Sequence, residues 1–328
     1  MNQAQIEVSI ICNTYNHEKY ISEALDSFVM QRTSFAFEVL VHDDASTDGT
    51  ADIIREYEAK YPDIIKPIYQ TENQYSKGPI SSRFQYPRAR GRYIAYCEGD
   101  DYWTDPDKLQ KQYDAMEAHP EIDICAHSAF MVDAISKEHI KNIAPSDKKE
   151  VISVETVILG RGGYVFVATN SLFYRKSIID EPQMRFKEYL PLDYTMQIRG
   201  ALRGGMLYIP DFMSAYRYLT SGSWTVRMRD NPKKREEHYK KKQNMLQILN
   251  EETGGKYSVA INERMAENEF YFLLSMENYR EILKRYKKLF SKLPRSQRIK
   301  IKIKAYVPFV KRLTEIRNRK RYERKKGI

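Results

Sequence analysis

The amino-acid sequence predicts an α/β fold built on a mostly parallel sheet. Three observations carry that expectation. Short β-rich runs alternate with helical patterns at the spacing of strand–helix–strand units. Polar clusters recur at the carboxyl ends of those runs, where such sheets bind ligands. The chain is also long enough, at 328 residues with 42% hydrophobic and 12% aromatic content, to bury a sizeable core.

Val8-Ser-Ile-Ile-Cys12 reads as the first strand, followed by Asn13-Thr-Tyr-Asn16 as a turn. A helical pattern opens near Glu18, with Ile21, Leu25 and Phe28 at helical spacing. Phe37 to His42 is the second strand, and Asp43-Asp44-Ala-Ser-Thr-Asp-Gly-Thr50 supplies N-caps for a helix over 51–60. Ile64 to Tyr69 and Arg92 to Cys97 read as the third and fourth strands, and Asp105-Pro-Asp107 caps a helix beginning near Lys108. Beyond residue 230 the segments 233–250 and 263–290 look helical, while Ile299 to Lys304 alternates as a strand would. Cys12, Cys97 and Cys125 sit in apolar runs without metal-ligand spacing and read as buried, reduced thiols. His42 and His127 read as core residues, His17 as a polar loop residue, and Tyr102 and Trp103 as packing beside the acidic turn. The polar N-terminus predicts no secretory signal, and no window approaches the ~18 apolar residues of a spanning helix, so a cytoplasmic protein is expected.

Charge divides the chain. Overall there are 54 Lys+Arg against 44 Asp+Glu, a net of +10. Residues 230–328 hold 28 of the basic and 12 of the acidic side chains, leaving residues 1–229 net acidic by six. The expected division is therefore a catalytic α/β domain over 1–229 and a basic, mainly helical region over 230–328. Basic residues interleaved with apolar ones suit an anionic membrane surface. An acceptor polymer or a homo-oligomer contact are the other readings. A nucleic-acid role lacks a recognisable reader motif.

Chemistry concentrates in Glu98-Gly99-Asp100-Asp101, at the end of the fourth strand. Clustered carboxylates repel one another unless a cation is present, and oxygen-only ligands suit Mg²⁺ or Mn²⁺. Such an ion keeps positions for phosphate oxygens, and the intervening glycine lets a diphosphate approach the backbone.

Three ordered motifs now point to a family. V-S-I-I-C-N-T-Y-N (8–16), H-D-D-A-S-T-D-G-T (42–50) and C-E-G-D-D-Y-W-T-D-P-D-K-L (97–109) together resemble the family 2 glycosyltransferases of GT-A fold, most closely bacterial members that build surface polysaccharides. The resemblance covers roughly residues 6–226. It implies that Thr14, Tyr15 and Asn16 line a nucleotide pocket and that Asp44 hydrogen-bonds the nucleobase, uracil in a UDP-sugar. Glu98 and Asp100 stand where the family has its D-x-D motif; Asp100 would coordinate the cation, Glu98 would face the ribose or the metal shell, and Asp101 would support them. Lys77 and Arg83 would neutralise phosphate, and Asn170 and Ser171 would contact donor sugar or acceptor. Asp193, before a helical segment, resembles the catalytic base of an inverting transfer, against the plainer reading of a helix N-cap. Trp224 would provide a platform for a sugar face.

Against the family pattern, Asn13 replaces a usual proline, Glu98 the usual first Asp and Leu192 a residue often Glu or Gly, and Leu219 stands where many relatives carry a His that contacts metal or phosphate. The implied protein is a metal-dependent hexosyl- or N-acetylhexosaminyltransferase, acting on a nucleotide sugar and a cell-envelope glycan or lipid-linked acceptor. A catalytically silent sugar-nucleotide or glycan-binding module and a nucleotidyltransferase of related fold are the alternatives; the second would show a Gly-rich, basic triphosphate loop, and none is visible over 12–18.

Overall fold

The computed structural model describes residues 5–160, 166–180, 192–218, 220 and 231–306. Strand β1 (Ile6–Thr14) runs parallel between β2 (Ala36–Asp43) and β4 (Tyr93–Tyr96), and β3 (Ile65–Tyr69) continues the parallel set beyond β2. The sheet then turns mixed through β9 (Phe173–Arg175), β6 (Ile124–Asp133), β10 (Met206–Tyr218) and β5 (Tyr102–Trp103). Strands β7 (His139–Ile143) and β8 (Glu150–Ile152) pair with β6 and β10 at the side. The chain winds outward from β1 to β3, then returns to β4 on the other side of β1. The carboxyl ends of β1 and β4 thus flank a topological switch point, the usual ligand crevice of an open parallel sheet.

Alternation along the strands builds two cores. Val8, Ile10 and Cys12 of β1 face one side of the sheet with Val39, Val41, Tyr93 and Ala95, while Ile11, Leu40 and Ile94 face the other. The first face is covered by α1 (Ile21–Val29), α2 (Thr50–Lys60) and α3 (Lys108–Glu117), through Ile21, Leu25, Phe28, Ile54, Leu109 and Met116. These side chains recur every three or four residues, the spacing that gives α1 and α3 a single apolar side. Capping crosses between loops: Asp48 accepts the Thr50 N–H at 3.0 Å, and Glu18 accepts the Gly49 N–H at 2.8 Å. Asp105 accepts the Asp107 N–H at 2.9 Å ahead of α3. All three cysteines are buried and free, and His42 and His127 are fully buried in their strands.

The second face is covered by α4 (Val154–Leu159) and α6 (Leu192–Ala201), with the short α5 (Ser177–Asp180) between them in sequence. Outside these lie α7 (Pro232–Glu252) and α8 (Ser258–Ser275). Met245, Leu246, Leu249, Tyr257, Ala260 and Ile261 share one core with Val157, Ile158, Met196 and Ile198. The basic third is therefore packed against the α/β layer through a common apolar core. A smaller core of Phe270, Leu273, Tyr279, Ile282, Phe290 and Ile301 joins α8 to α9 (Tyr279–Arg285), α10 (Lys287–Lys292) and α11 (Arg295–Tyr306). Among the described residues no helix is long and apolar enough to cross a membrane.

One expectation does not hold. Ile299 to Lys304 lies inside helix α11, not in a strand. Six alternating residues are too few to separate the two periods, and burial decides: Ile301 and Ala305, four residues apart, enter the small core while Ile299 and Ile303 stay outside.

Gly91 precedes β4 where the chain touches β1: a Cβ there would lie 2.4 Å from the Ser9 nitrogen and 2.6 Å from the Val8 carbonyl carbon. Because both atoms are backbone, the crowding cannot relax by a rotamer change. Gly91→Ala is expected to destabilise the protein by about 2–4 kcal/mol, somewhat beyond ordinary overpacking, as read by urea unfolding. A parental midpoint would refute this tight approach.

Candidate active site

The loops leaving β1 and β2 are stitched together. Asn16 has a left-handed backbone (φ 56°), which Asn tolerates better than most residues. Its side-chain oxygen accepts the Thr47 N–H at 2.8 Å, and its own N–H donates to Ser46 Oγ at 2.9 Å. Tyr15 beside it is exposed, while Thr14 is buried with its hydroxyl oxygen unpartnered. Thr14 instead packs under Gly99, where a Cβ would fall 2.8 Å from its side chain. Only glycine therefore lets the acidic turn settle onto the end of β1.

Asp44 is buried, and its two carboxylate oxygens accept the Gln74 and Tyr75 N–H groups at 2.7 and 3.1 Å. This holds the 74–75 segment over the end of β2 while leaving further acceptor capacity on each oxygen. Asn13 donates to Ser81 at 2.9 Å and to the Tyr96 hydroxyl at 2.7 Å. The residue replacing a family proline thus ties β1 to the end of β4.

The acidic turn follows β4 directly. The Gly99 N–H donates to the Asn13 carbonyl at 3.0 Å, and the Asp101 N–H closes the turn on the Glu98 carbonyl at 3.0 Å. Three carboxylates now have three environments. Glu98 is exposed, Asp100 is half-buried and accepts the Thr220 hydroxyl at 2.8 Å, and Asp101 is buried. Asp101 accepts the Arg217 N–H at 2.8 Å and the Asn170 amide at 3.1 Å. Burial first, and the Asp100 charge second, push its carboxyl well above the usual range. The same turn's negative field adds to burial in raising the Cys12 thiol.

Arg217, which the expected site residues do not include, is a cation in direct contact with this turn. Its side chain is 1% exposed, lies between the rings of Tyr20 and Tyr102, donates to the Asp100 carbonyl at 2.6 Å and pairs with Glu23 of α1. A lone arginine inside the apolar run Phe212 to Leu219 is the signal that points to it, since a buried cation demands a fixed partner. Asn170 and Ser171 lie beneath the turn, fully buried and already hydrogen-bonded. Asn170 joins Asp101, Ser214 and the Ala215 carbonyl, and Ser171 bonds the Ala168 carbonyl. Lys77 is exposed and paired with Glu72, and exposed Arg83 donates to Gln74 at 3.1 Å over the ring of Phe84. Trp224 and Leu219 lie outside the described residues.

Asp193 stands in the first turn of α6, where its carboxylate accepts the Tyr194 N–H at 2.7 Å. It lines a small cavity with Tyr86, Tyr96, Thr169, Leu172, Tyr174 and Met196. Tyr96 lies two residues before Glu98, and Thr169 precedes the Asn170 that holds Asp101, so this cavity adjoins the acidic turn. Asp193 is solvent-exposed at the mouth of this cavity, and desolvation by the protein around it raises its carboxyl. Behind it, Tyr194 donates to the Ile158 carbonyl at 2.5 Å and carries Lys242 of α7 and Arg264 of α8 over its ring at 4.9 and 5.5 Å. Burial lowers the Lys242 ammonium to about 7.

The donor set suits a divalent cation shared with a ligand. Among the described residues no three His, Cys, Asp or Glu side chains converge as a closed metal site. One exposed and one half-buried carboxylate at a strand end match the habit of Mg²⁺ and Mn²⁺, which take one or two carboxylates and leave the rest to phosphate and water.

Comparison with known proteins agrees with this architecture. The sequence profile of the family described as Glycosyl transferase family 2 matches residues 9–181. An uncharacterized protein of Mycobacterium tuberculosis is 40% identical over 223 residues, 66% of this chain and 60% of that protein. The putative teichuronic acid biosynthesis glycosyltransferase TuaG of Bacillus subtilis is 38% identical over 109 residues, 33% of this chain and 41% of its own. The match thus spans about 60% of the length of the first of these relatives. In three dimensions the chain superimposes on S. aureus TarS 1-349, solved in complex with UDP-GlcNAc, with a TM-score of 0.55 at 19% identity, covering 90% of this chain and 79% of that one. The fold is GT-A.

Arg217→Met keeps the bulk of the side chain and removes its charge. It is expected to cost about 2–4 kcal/mol, less than the cost of breaking a fully buried pair because Glu23 is partly exposed. Urea unfolding at neutral pH measures this, and an unchanged midpoint would mean the cation does not brace the turn.

Proposed function

The chain belongs to the glycosyl transferase family 2, and from that premise we propose that it transfers a sugar, with inversion, from a nucleotide sugar to an acceptor hydroxyl. The observation that carries the reading is the acidic turn Glu98–Asp101, at the switch point of the sheet, adjoining a cavity that holds Asp193.

In this reading the donor is UDP-linked. Asp44 accepts from the uracil N3–H, and Tyr15 and Asn16 border the base and ribose. Glu98 and Asp100 would hold a Mg²⁺ or Mn²⁺ ion, and Asp101 stays beneath them as their support. When bound, the ion supplies Lewis-acid neutralisation of the leaving diphosphate. Asp193 removes the proton of the acceptor hydroxyl, whose oxygen attacks the anomeric carbon as the bond to the diphosphate oxygen breaks. Attack opposite the leaving group inverts the configuration. The acceptor is a glycan or lipid-linked glycan of the cell envelope, a reading favoured by the likeness to TuaG, a putative teichuronic acid biosynthesis glycosyltransferase. Residues 1–229 carry the chemistry in this proposal, and residues 230–328 place the enzyme or its acceptor.

Calorimetry with a panel of nucleotide sugars, with and without Mn²⁺ or Mg²⁺, tests the donor half. UDP-sugars are expected to bind with metal enhancement, and Asp100→Ala to abolish that enhancement; binding indifferent to metal would sink the metal-dependent reading.

Asp193→Asn is expected to retain donor binding while losing about 10²–10⁴-fold in turnover. Because the base must be ionised and desolvation raises its carboxyl, turnover of the parent should fall on acidification with a midpoint above the ordinary ~4 of a carboxylate. A rate profile flat down to that range would remove Asp193 as the base.

A further inference from the structure

Helix α11 divides its isoleucines between two environments. Ile301 and Ala305 are buried in the small helical core, whereas Ile299, Ile303 and Tyr306 are 49%, 43% and 70% exposed. At 3.6 residues per turn, positions 299, 303 and 306 fall within about 60° of one another, so the exposed three form one stripe. Basic residues border it on both sides: Arg295 and Lys302 along one edge, Lys300 along the other. All three are exposed and have no ion-pair partner among the described residues. Lys304, by contrast, turns inward and is held by Glu277 at 2.9 Å and the Tyr279 hydroxyl at 3.2 Å. The helix has five basic residues and no acidic one.

We propose that this outward face of α11 docks on an anionic bilayer surface, with Ile299, Ile303 and Tyr306 entering the headgroup region and Arg295, Lys300 and Lys302 meeting lipid phosphates. The pattern is that of a helix lying in the interface plane: a narrow apolar stripe on the outward side, flanked by cations. Charge selects the occupant. A second copy of the chain would set like charges opposite one another, and a nucleic acid would leave the isoleucine stripe without an apolar partner. The surrounding sequence extends the same field, since residues 280–328 hold 20 Lys+Arg against three acidic residues. The face shares no residue with the acidic turn or the cavity of Asp193, and its test reads binding rather than sugar transfer.

The full-length chain is sedimented with vesicles of pure phosphatidylcholine and with vesicles containing about one-third phosphatidylglycerol. Two variants accompany it: Ile299→Ser with Ile303→Ser, which keeps every charge, and Arg295→Gln with Lys300→Gln and Lys302→Gln, which keeps the stripe. Binding is expected only to the anionic vesicles, weakened at least about tenfold by the isoleucine pair and about 100-fold by the three charges, at about fivefold per basic residue near anionic lipid. The substituted side chains are all exposed, and an unchanged circular dichroism melt confirms that each variant is folded. Equal binding of the parent to both vesicle types overturns the proposal. So does undiminished binding by the isoleucine variant, which would assign the contact to unspecific basic charge. A doubled mass in light scattering that the isoleucine variant abolishes would make the face a self-association surface, and duplex DNA displacing the vesicles at matched ionic strength would make it a nucleic-acid surface; either result also overturns it.

Discussion

A carboxylate removed from water has to be answered by donors, and Asp101 is where this fold meets that demand. One of its oxygens takes the Arg217 N–H and the other the Asn170 amide. Those two bonds fix the end of β10 and the segment before β9 against the acidic turn. Asn170 then receives the Ser214 hydroxyl and lends its carbonyl to the Trp103 indole, while Arg217 reaches across to Glu23 of α1. A buried polar network of this kind resists movement because breaking any one of its bonds strands a buried polar group. The exposed Glu98 and half-buried Asp100 are thereby presented on a turn whose base cannot shift independently of four surrounding elements.

Register does the rest of the positioning. Thr14 pairs with Asp43 across β1 and β2, so the two strands end level and their loops meet. The stitches from Asn16, His17 and Glu18 to residues 46–50 follow from that level ending. Gly99 lets the acidic turn rest on Thr14, and Asn13 reaches Tyr96, so three strand ends form one surface. Asp193 comes to this surface from the opposite face of the sheet. It is carried by α6, which α7 and α8 cover from outside through Tyr194, Lys242 and Arg264. The helices of the basic third thus contribute to the surroundings of the candidate base, a link that charge counting alone does not suggest.

Much of the fold is legible in the sequence because its signals are local. The strands at 6–14, 36–43, 65–69 and 93–96 and the helices following them announce themselves by β-branched runs, by apolar residues every three or four positions and by acidic, hydroxyl-rich turns. The acidic turn is legible for the same reason: four adjacent residues at a strand end imply a charge problem wherever the chain leads. What stays hidden depends on distant partners. Asn170 and Ser171 look like loop ligands in sequence but are buried beneath the turn, where their hydrogen bonds serve Asp101, Ser214 and Ala168. Arg217 stands out in sequence as a lone cation in an apolar run, but its partners in α1 and the acidic turn are visible only in the fold. In α11 the alternating Ile-Lys pattern satisfies a strand and a helix equally, and only the neighbouring core chooses.

Neighbours along the chain suffice for the α/β class, for the first four strands along the chain, for the acidic turn and for the segregation of basic charge into the last third. Each of these is a property of adjacent residues. Packing settles the rest: which carboxylates remain available at the surface and which are spent inside. It brings Asp193 to the cavity beside the acidic turn, and it turns two isoleucines and a tyrosine of α11 outward between cations. Those outcomes depend on burial and on hydrogen bonds between residues dozens of positions apart, and desolvation is a property of the packed molecule rather than of any segment within it.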